Sequence, residues 1–295
     1  MITVSSAQRQ AIGNQKLKDL ITRNEIKLVR SLALKKYRDA EGLFVAEGPK
    51  VVSELLPLFA CESLYATESF MRELENVSLL PSAKSEIRRK TVVTQEELER
   101  ISMLKTPRSA LAVFKKPARV ASICDVAEWC KNGICLALDG VQDPGNLGTL
   151  LRVADWFGME HVLASFDTAD VFGPKVVQST MGAIGRVRVD YVPLAEMLRE
   201  LARSTPVYGT VLDGDDLYTV SLAPRGVIVM GNEGNGISSP IQRMLTHRLF
   251  IPNFPPGRAT SESLNVGVAA AVVCAEFRRR AAYGEEQLTN NRNSQ

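Results

Sequence analysis

The segment ICLALDGVQDPGNLGTLLRVADWFG (134–158) decides the fold of this chain. It begins with an unbroken apolar run, continues through a turn rich in Asp, Pro, Gly and Asn, and ends in helix-forming sequence. More apolar runs follow, most of them separated by helix candidates. Apolar strands that alternate with helices predict a mostly parallel sheet covered on both faces, and hence an α/β domain. The later runs are HVLAS (161–165), VRVDYV (187–192), PVYGTVL (206–212), GVIVMG (226–231) and RLFIPN (248–253).

A smaller α/β domain is predicted ahead of this segment, because short apolar runs and helix candidates alternate between about residues 15 and 115. Its first helix is predicted over residues 24–38, with Asn24 as the N-cap. We therefore expect four parts. They are an N-terminal domain (1–118), a linker (119–132) in which a short helix over 122–130 fits the pattern, the larger domain (133–284), and a polar, disordered tail (285–295).

Composition places the chain among ordinary globular proteins, with 295 residues, 45% hydrophobic residues and a net charge of +3. No apolar run approaches the ~18 residues of a membrane span, and the N-terminus lacks the apolar core of a signal peptide, so we expect a cytoplasmic protein that does not cross a membrane. The five cysteines form no CxxC pair and there are only two histidines, so neither a metal site nor a histidine base is expected.

Positive charge is concentrated in residues 16–38, which carry eight basic and two acidic side chains, a net charge of +6. Two interpretations are open: a solvated helix face, or a surface that meets a polyanion such as RNA. The candidates for RNA contacts are Lys27, Arg30, Lys35 and Lys36.

Ligands of parallel sheets bind beyond the carboxyl ends of the strands, and three segments at such positions carry polar residues. The first, DGVQDPGNLGTLLRVADWFG (139–158), offers Asn146 and an arginine, Arg152, able to bind a phosphate. The second is the glycine-rich GNEGNGIS (231–238), and the third is SESLNVGVAAAV (261–272). Each has a purely structural alternative, since such residues also form turns and helix caps.

Taken together and in this order, the three segments resemble the three motifs of the SpoU-type ribose 2′-O-methyltransferases of the SPOUT class. The resemblance covers about residues 134–283, and NEIKLVRSLALKKYRDAEGLFVAEG (24–48) with LKTPRSALAVF (104–114) looks like the substrate-binding domain of many members. It implies an α/β fold with a C-terminal trefoil knot, S-adenosylmethionine as the cofactor, and a homodimer. It also implies methylation of a ribose 2′-hydroxyl in structured RNA. Without it no knot would be expected.

The resemblance also implies roles for individual residues. The catalytic set is Asn146, Arg152, Glu233, Ser263 and Asn265, and the cofactor set is Leu212, Gly231, Ile251 and Leu264. The loop 254–260 is longer than expected, and its Arg258 is a further candidate for RNA contact.

The family sometimes assigns Arg152 as the base. Because a guanidinium stays protonated, we prefer Arg152 as a phosphate-gripping group, with a substrate phosphate or Ser263 relaying the proton. Glu233 is expected to orient Arg152 or Asn146.

Several alternatives remain open from the sequence. Ribosomal RNA is the favoured substrate because of the added N-terminal domain, and transfer RNA is the second candidate. A methyltransferase of the same fold that acts on a base, and an RNA-binding member that has lost its activity, are the rival functions.

Overall fold

A computed structural model describes residues 21–76, 87–118, 121–255 and 258–292 of the chain. These residues form two compact units. The first runs up to Pro117 and includes Phe172–Gly185, and the second comprises Ala118–Val171 and the chain from Arg186 onward. The inclusion of Phe172–Gly185 in the first unit was not predicted.

The first unit is built on a four-stranded mixed sheet in the order β1-β4-β2-β3. β4 pairs antiparallel with both β1 and β2, and β2 pairs parallel with β3. The described elements are α1 (Arg23–Ser31), α2 (Lys35–Glu41), β1 (Leu43–Glu47), α3 (Pro49–Leu55), β2 (Cys61–Ala66), α4 (Glu68–Asn76), β3 (Lys90–Val92), α5 (Gln95–Ile101) and β4 (Ala110–Lys115).

The helix predicted over 24–38 is in fact two helices, and its N-cap is not Asn24. Thr22 caps α1 in a capping box with Glu25. The break after Ser31 is stabilised by Arg38, whose buried guanidinium donates through Nη1 to the carbonyls of Leu32 (2.7 Å) and Ala33 (2.9 Å). One of the eight predicted cations is therefore a structural cap. Lys16 and Lys18 lie outside the described residues.

The segment Phe172–Gly185 packs against the sheet of the first unit. It contains α8 (Pro174–Thr180), which contacts β1. The ring of Phe172 lies 4.8 Å from that of Phe44 on β1, measured between centroids. A Cβ on Gly185 would lie 2.4 Å from a methyl carbon of Leu58 and 3.1 Å from one of Leu55, so a side chain there would displace these leucines.

The second unit is a six-stranded, wholly parallel sheet in the order β10-β8-β9-β5-β6-β7. All residues of β5 and β9 are buried, as expected for central strands covered on both faces. Its elements are α6 (Ile123–Asn132), β5 (Ile134–Leu138), α7 (Pro144–Trp156), β6 (His161–Ala164), β7 (Arg188–Tyr191), α9 (Leu194–Leu201), β8 (Val207–Asp216), β9 (Gly226–Met230), α10 (Ser239–Gln242), β10 (His247–Phe250) and α11 (Val266–Arg292).

The helix that fits the pattern over 122–130 is present as α6, but its Val126 and Cys130 are buried in the hydrophobic core of the second unit, so this stretch belongs to that unit and is not a linker. The predicted disordered tail is helical as far as Arg292, because α11 continues through it. Within the described ranges, no helix is both long enough and apolar enough to span a bilayer.

Candidate active site at the carboxyl edge of the parallel sheet

The turn after β5 places Asn146 at the start of α7. Asp143 is the N-cap, and its carboxylate accepts the Asn146 backbone N–H at 2.8 Å. Pro144 occupies the first turn, where its missing N–H costs no hydrogen bond. α7 therefore begins at Pro144, directly after the turn. Cap formation and placement of Asn146 are both achieved by this one turn.

Glu233 links this turn to the glycine-rich segment after β9. Its carboxylate accepts Nδ2 of Asn146 at 3.0 Å and the backbone N–H groups of Gln142 and Asp143 at 3.4 and 3.3 Å. Of the two partners expected for Glu233, the structure thus shows Asn146. Glu233 itself is exposed, so these bonds are open to solvent.

Asn265 adds the third segment to the same cluster. Its Nδ2 donates to Oδ1 of Asn146 at 2.9 Å, and its Oδ1 accepts the N–H groups of Gly267 (2.9 Å) and Val268 (3.3 Å). Asn265 is therefore the cap of α11. A continuous chain of side-chain hydrogen bonds, Glu233 to Asn146 to Asn265, joins the three segments.

The turn that carries Glu233 is held by its neighbour, Asn232. The Asn232 amide donates to the Gly140 carbonyl at 2.6 Å and accepts the N–H groups of Gly234 and Asn235 at 2.9 and 3.0 Å. Asp139, which is buried, accepts the Ser238 N–H at 2.6 Å. Sequence reasoning missed Asn232 and Asp139 as supports of the site, although both directly follow an apolar strand or its last glycine.

Two of the predicted catalytic residues, Arg152 and Ser263, form no hydrogen bond with Glu233, Asn146 or Asn265. Arg152 is exposed on α7, and no hydrogen bond or ion pair holds it among the described residues. Ser263 is also exposed, in the stretch before α11. The cation on Arg152 is therefore available to an anion, and Glu233 does not neutralise it.

Among the predicted cofactor residues, Gly231 has no space for a side chain, whereas Leu212 and Leu264 have exposed apolar side chains. A Cβ on Gly231 would lie 2.3 Å from backbone atoms of Gly236 and Ile237. Leu212 is 69% exposed and Leu264 is 49% exposed. The register of β8 against β10 jumps between Gly209 and Asp215, so Leu212 bulges out of the ladder. Ile251 follows β10 directly and is half-buried.

This combination fits S-adenosylmethionine. Close backbone approach at Gly231 and two exposed leucines, Leu212 within β8 and Leu264 just before α11, suit the adenine and ribose of a nucleoside. A nucleoside cofactor would bury apolar surface that is otherwise in contact with water.

The candidate RNA-binding residues lie on both units. Lys27 and Arg30 are exposed on α1, and Lys35 and Lys36 are exposed on α2. Arg258 is exposed in the loop after β10, where its carbonyl accepts the Asn253 side chain at 2.9 Å.

Two family models match the chain, the SpoU rRNA Methylase family over residues 133–275 and the MRM3-like substrate binding domain over residues 23–112. The chain is 30% identical to the 23S rRNA (guanosine(2553)-2′-O)-methyltransferase RlmP of Bacillus subtilis (strain 168) over 276 residues, 92% of this chain and 99% of the relative. The chain belongs to the SpoU rRNA methylase family.

Solved structures of similar proteins agree with this membership. An RNA methyltransferase of the TrmH family from Porphyromonas gingivalis has 39% sequence identity and a TM-score of 0.75, over 88% of this chain and 99% of that one. An AdoMet-bound rRNA methyltransferase from Sinorhizobium meliloti has 26% identity and the same TM-score of 0.75, over 90% of this chain and 98% of that one. In this SpoU methylase the hydrogen-bonded chain Glu233–Asn146–Asn265 joins the segments 139–158, 231–238 and 261–272.

Proposed function

We propose that this protein transfers a methyl group from S-adenosylmethionine to a ribose 2′-hydroxyl of ribosomal RNA. The hydrogen-bonded chain Glu233–Asn146–Asn265 carries the proposal, because it brings together polar groups from the turn after β9, the first turn of α7 and the residue that caps α11. The 23S rRNA substrate named for the Bacillus subtilis relative supports the choice of RNA.

Four residues would hold the cofactor: Leu212, Gly231, Ile251 and Leu264. When bound, the cofactor supplies a methyl group already activated by a sulfonium. The protein's own residues then have to position the ribose and stabilise the developing alkoxide. Gly231 provides backbone access and the leucines provide apolar contact.

Asn146 is the residue best placed to orient the ribose. A carboxylate only accepts hydrogen bonds, so Glu233 fixes Nδ2 of Asn146 on its own side, and Nδ2 of Asn265 fixes the Oδ1 side. The amide therefore has one defined orientation, with a second Nδ2 hydrogen to donate to the ribose oxygen. Such preorganised donors cost no reorganisation during the reaction.

Arg152 acts as an electrostatic group. Its guanidinium stays protonated, is exposed and has no acidic partner among the described residues, so it suits a substrate phosphate or the developing alkoxide. A substrate phosphate or Ser263 relays the proton. The exposed cations on α1 and α2, namely Lys27, Arg30, Lys35 and Lys36, bind the RNA backbone, with Arg258 as a further contact.

The knot, the homodimer and the cytoplasmic location stay predictions. Close backbone packing at Gly214 supports the knot, since a Cβ there would lie 2.7 Å from backbone carbons of Arg248 and Leu249. Exposed apolar side chains on α7 and α11, with Trp156 the most exposed, support a second copy as the partner. Light scattering should give twice the monomer mass; a monomer at micromolar concentration would refute the dimer.

The decisive experiment uses the purified protein, labelled S-adenosylmethionine, and unmodified ribosomal and transfer RNA in parallel. Alkaline hydrolysis should leave labelled, resistant dinucleotides from ribosomal RNA, because 2′-O-methylation removes the nucleophile that cleaves the chain. Label on transfer RNA alone would favour the second candidate substrate, and label in alkali-sensitive nucleotides would favour base methylation. RNA binding without cofactor binding in calorimetry would indicate the inactive RNA-binding alternative. Mapping 2′-O-methylation in a deletion strain identifies the nucleotide.

A further inference from the structure

The loop after β6, residues 165–171, presents an aromatic ring that the proposed site leaves unused. Phe166 is 66% exposed, and no aromatic side chain among the described residues stacks on it. Because β6 neighbours β5 and all strands are parallel, this loop leaves the sheet at the same edge as the turn after β5. We call residues 165–171 the aromatic loop.

The aromatic loop is bonded to the end of β5 and to the turn that follows it. The Gly140 N–H donates to Oγ of Ser165 at 2.8 Å, and the Ala169 N–H donates to the Val141 carbonyl at 2.9 Å. Oγ1 of Thr168, a buried residue, donates to the Leu138 carbonyl at 3.2 Å. These bonds fix the loop on the side that faces the first motif.

The other side of the loop is bonded to β7 through one side chain. The Tyr191 hydroxyl accepts the Val171 N–H at 2.8 Å and donates to the Ala169 carbonyl. The loop is thus braced on two sides, and Phe166 is held out from a backbone that has little freedom left to lose. A ligand that contacts this ring pays little ordering entropy for the loop.

The aromatic loop also adjoins the residues that hold the glycine-rich turn. A Cβ built on Gly140 would lie 3.1 Å from Oδ2 of Asp167 and 3.8 Å from Cβ of Asn232. Asn232 in turn donates to the Gly140 carbonyl and precedes Glu233 in the chain. Phe166 is therefore one residue away from a side chain that borders the candidate active site.

We propose that Phe166 stacks on an unpaired nucleobase of the RNA segment whose ribose reaches Asn146. The inference rests on the proposed function. Aromatic side chains stack on any base face, and proteins that recognise RNA use such rings where bases are splayed out of the helix. The ring would position the nucleotide without reading its sequence.

The test compares three substitutions at one position. Phe166→Ala removes the ring, Phe166→Leu keeps apolar bulk without a π face, and Phe166→Tyr keeps the ring. The dissociation constant for the substrate RNA fragment should rise roughly 5- to 150-fold for Ala, by nearly as much for Leu, and stay near the wild-type value for Tyr. Affinity for S-adenosylmethionine, molar mass and melting temperature should not change, because the side chain is exposed.

Substrates with a single abasic nucleotide identify the stacked base. If the base belongs to the methylated nucleotide, the penalty of Phe166→Ala should vanish on RNA that is abasic there and persist on RNA that is abasic next to it. If a neighbouring base is stacked instead, the penalty should persist on RNA that is abasic at the methylated nucleotide and vanish on RNA that is abasic at that neighbour. A penalty that persists on every abasic substrate would overturn the inference.

Three other results would also refute it: equal RNA affinity for wild type and Phe166→Ala, full rescue by Leu, or loss of cofactor binding or of the wild-type molar mass in the Ala variant. The proposed function is tested separately by the wild-type protein. If wild type binds the RNA but leaves its riboses unmethylated, the function fails while the stacking result still stands.

Discussion

Replacing Glu233 separates its positioning role from a role as proton acceptor. In Glu233→Gln the side-chain oxygen continues to accept Nδ2 of Asn146, at 3.0 Å in the wild type, and the Asp143 N–H, at 3.3 Å. The new amide nitrogen faces the Gln142 N–H and loses only that bond, which at 3.4 Å is already long. In Glu233→Ala all three bonds are lost.

The magnitudes follow from these geometries. A hydrogen bond to a charged group contributes ~1.5 kcal/mol at the low end of its range, which is appropriate for an exposed carboxylate, and the two long bonds contribute less. We expect Glu233→Ala to raise the activation free energy by about 2 kcal/mol, which lowers kcat roughly 30-fold. Glu233→Gln should cost about 0.5 to 1 kcal/mol, a two- to fivefold decrease.

The assay is single-turnover methylation of ribosomal RNA at saturating S-adenosylmethionine. Glu196→Gln and Glu196→Ala are the matched controls, because Glu196 is an exposed carboxylate on α9, on the same unit, and makes no hydrogen bond to the described residues. If Gln and Ala at position 233 reduce the rate equally, by a factor of 100 or more, Glu233 acts on the proton and the positioning role is refuted.

Three further predictions concern the RNA surface, the glycine-rich turn and a buried carboxyl group. Replacing Lys27, Arg30, Lys35 and Lys36 together with Gln should weaken RNA binding and make the slope of log association constant against log salt concentration less steep by up to about 3. Cofactor affinity should be unchanged in calorimetry. An unchanged slope would mean that these side chains only solvate the helices. Gly231→Ala should lower the free energy of unfolding by more than about 3 kcal/mol in chemical denaturation, because the new Cβ would lie 2.3 Å from backbone atoms. The control Gly234→Ala should be tolerated, because its Cβ would be 3.6 Å from its nearest neighbour. Equal stability of the two variants would contradict this geometry. Burial raises the pKa of Glu47 above the ordinary 4.5, against hydrogen bonds from Ser102 and Met103, so the wild type should lose stability relative to Glu47→Gln as pH rises from about 4.5 through the raised pKa. If the difference in unfolding free energy between the two proteins is the same at about pH 4 and at about pH 8, the burial effect is disproved.

The order of strands and helices in the larger domain was predictable because central parallel strands are buried on both faces. Continuous apolar runs such as β5 and β9 therefore stand out in the sequence. The break between α1 and α2 was not predictable, since it depends on Arg38 folding back onto carbonyls five and six residues earlier, outside any helical periodicity. Nor was the assignment of Phe172–Gly185 to the first unit, which depends on packing against residues more than a hundred positions away.

In the candidate site, too, the residues were predictable from the sequence but their hydrogen bonds were not. The resemblance to the SpoU-type motifs singled out Asn146, Glu233 and Asn265, but only the structure shows which of them are bonded and in what order. Asn265 rather than a serine caps α11, a choice the sequence left open because Ser and Asn are nearly equivalent caps.

The absence of an ion pair between Arg152 and Glu233, both in the described part of the chain, limits which groups can accept the proton from the ribose. Had the two formed an ion pair, the carboxylate would have neutralised the guanidinium and weakened its attraction for an incoming phosphate. Instead the Glu233 carboxylate accepts from Asn146 and two backbone N–H groups, and Arg152 remains an exposed cation. A fixed positive charge cannot accept a proton but stabilises an oxygen that loses one. The proton acceptor is therefore to be sought in the RNA phosphate or at Ser263.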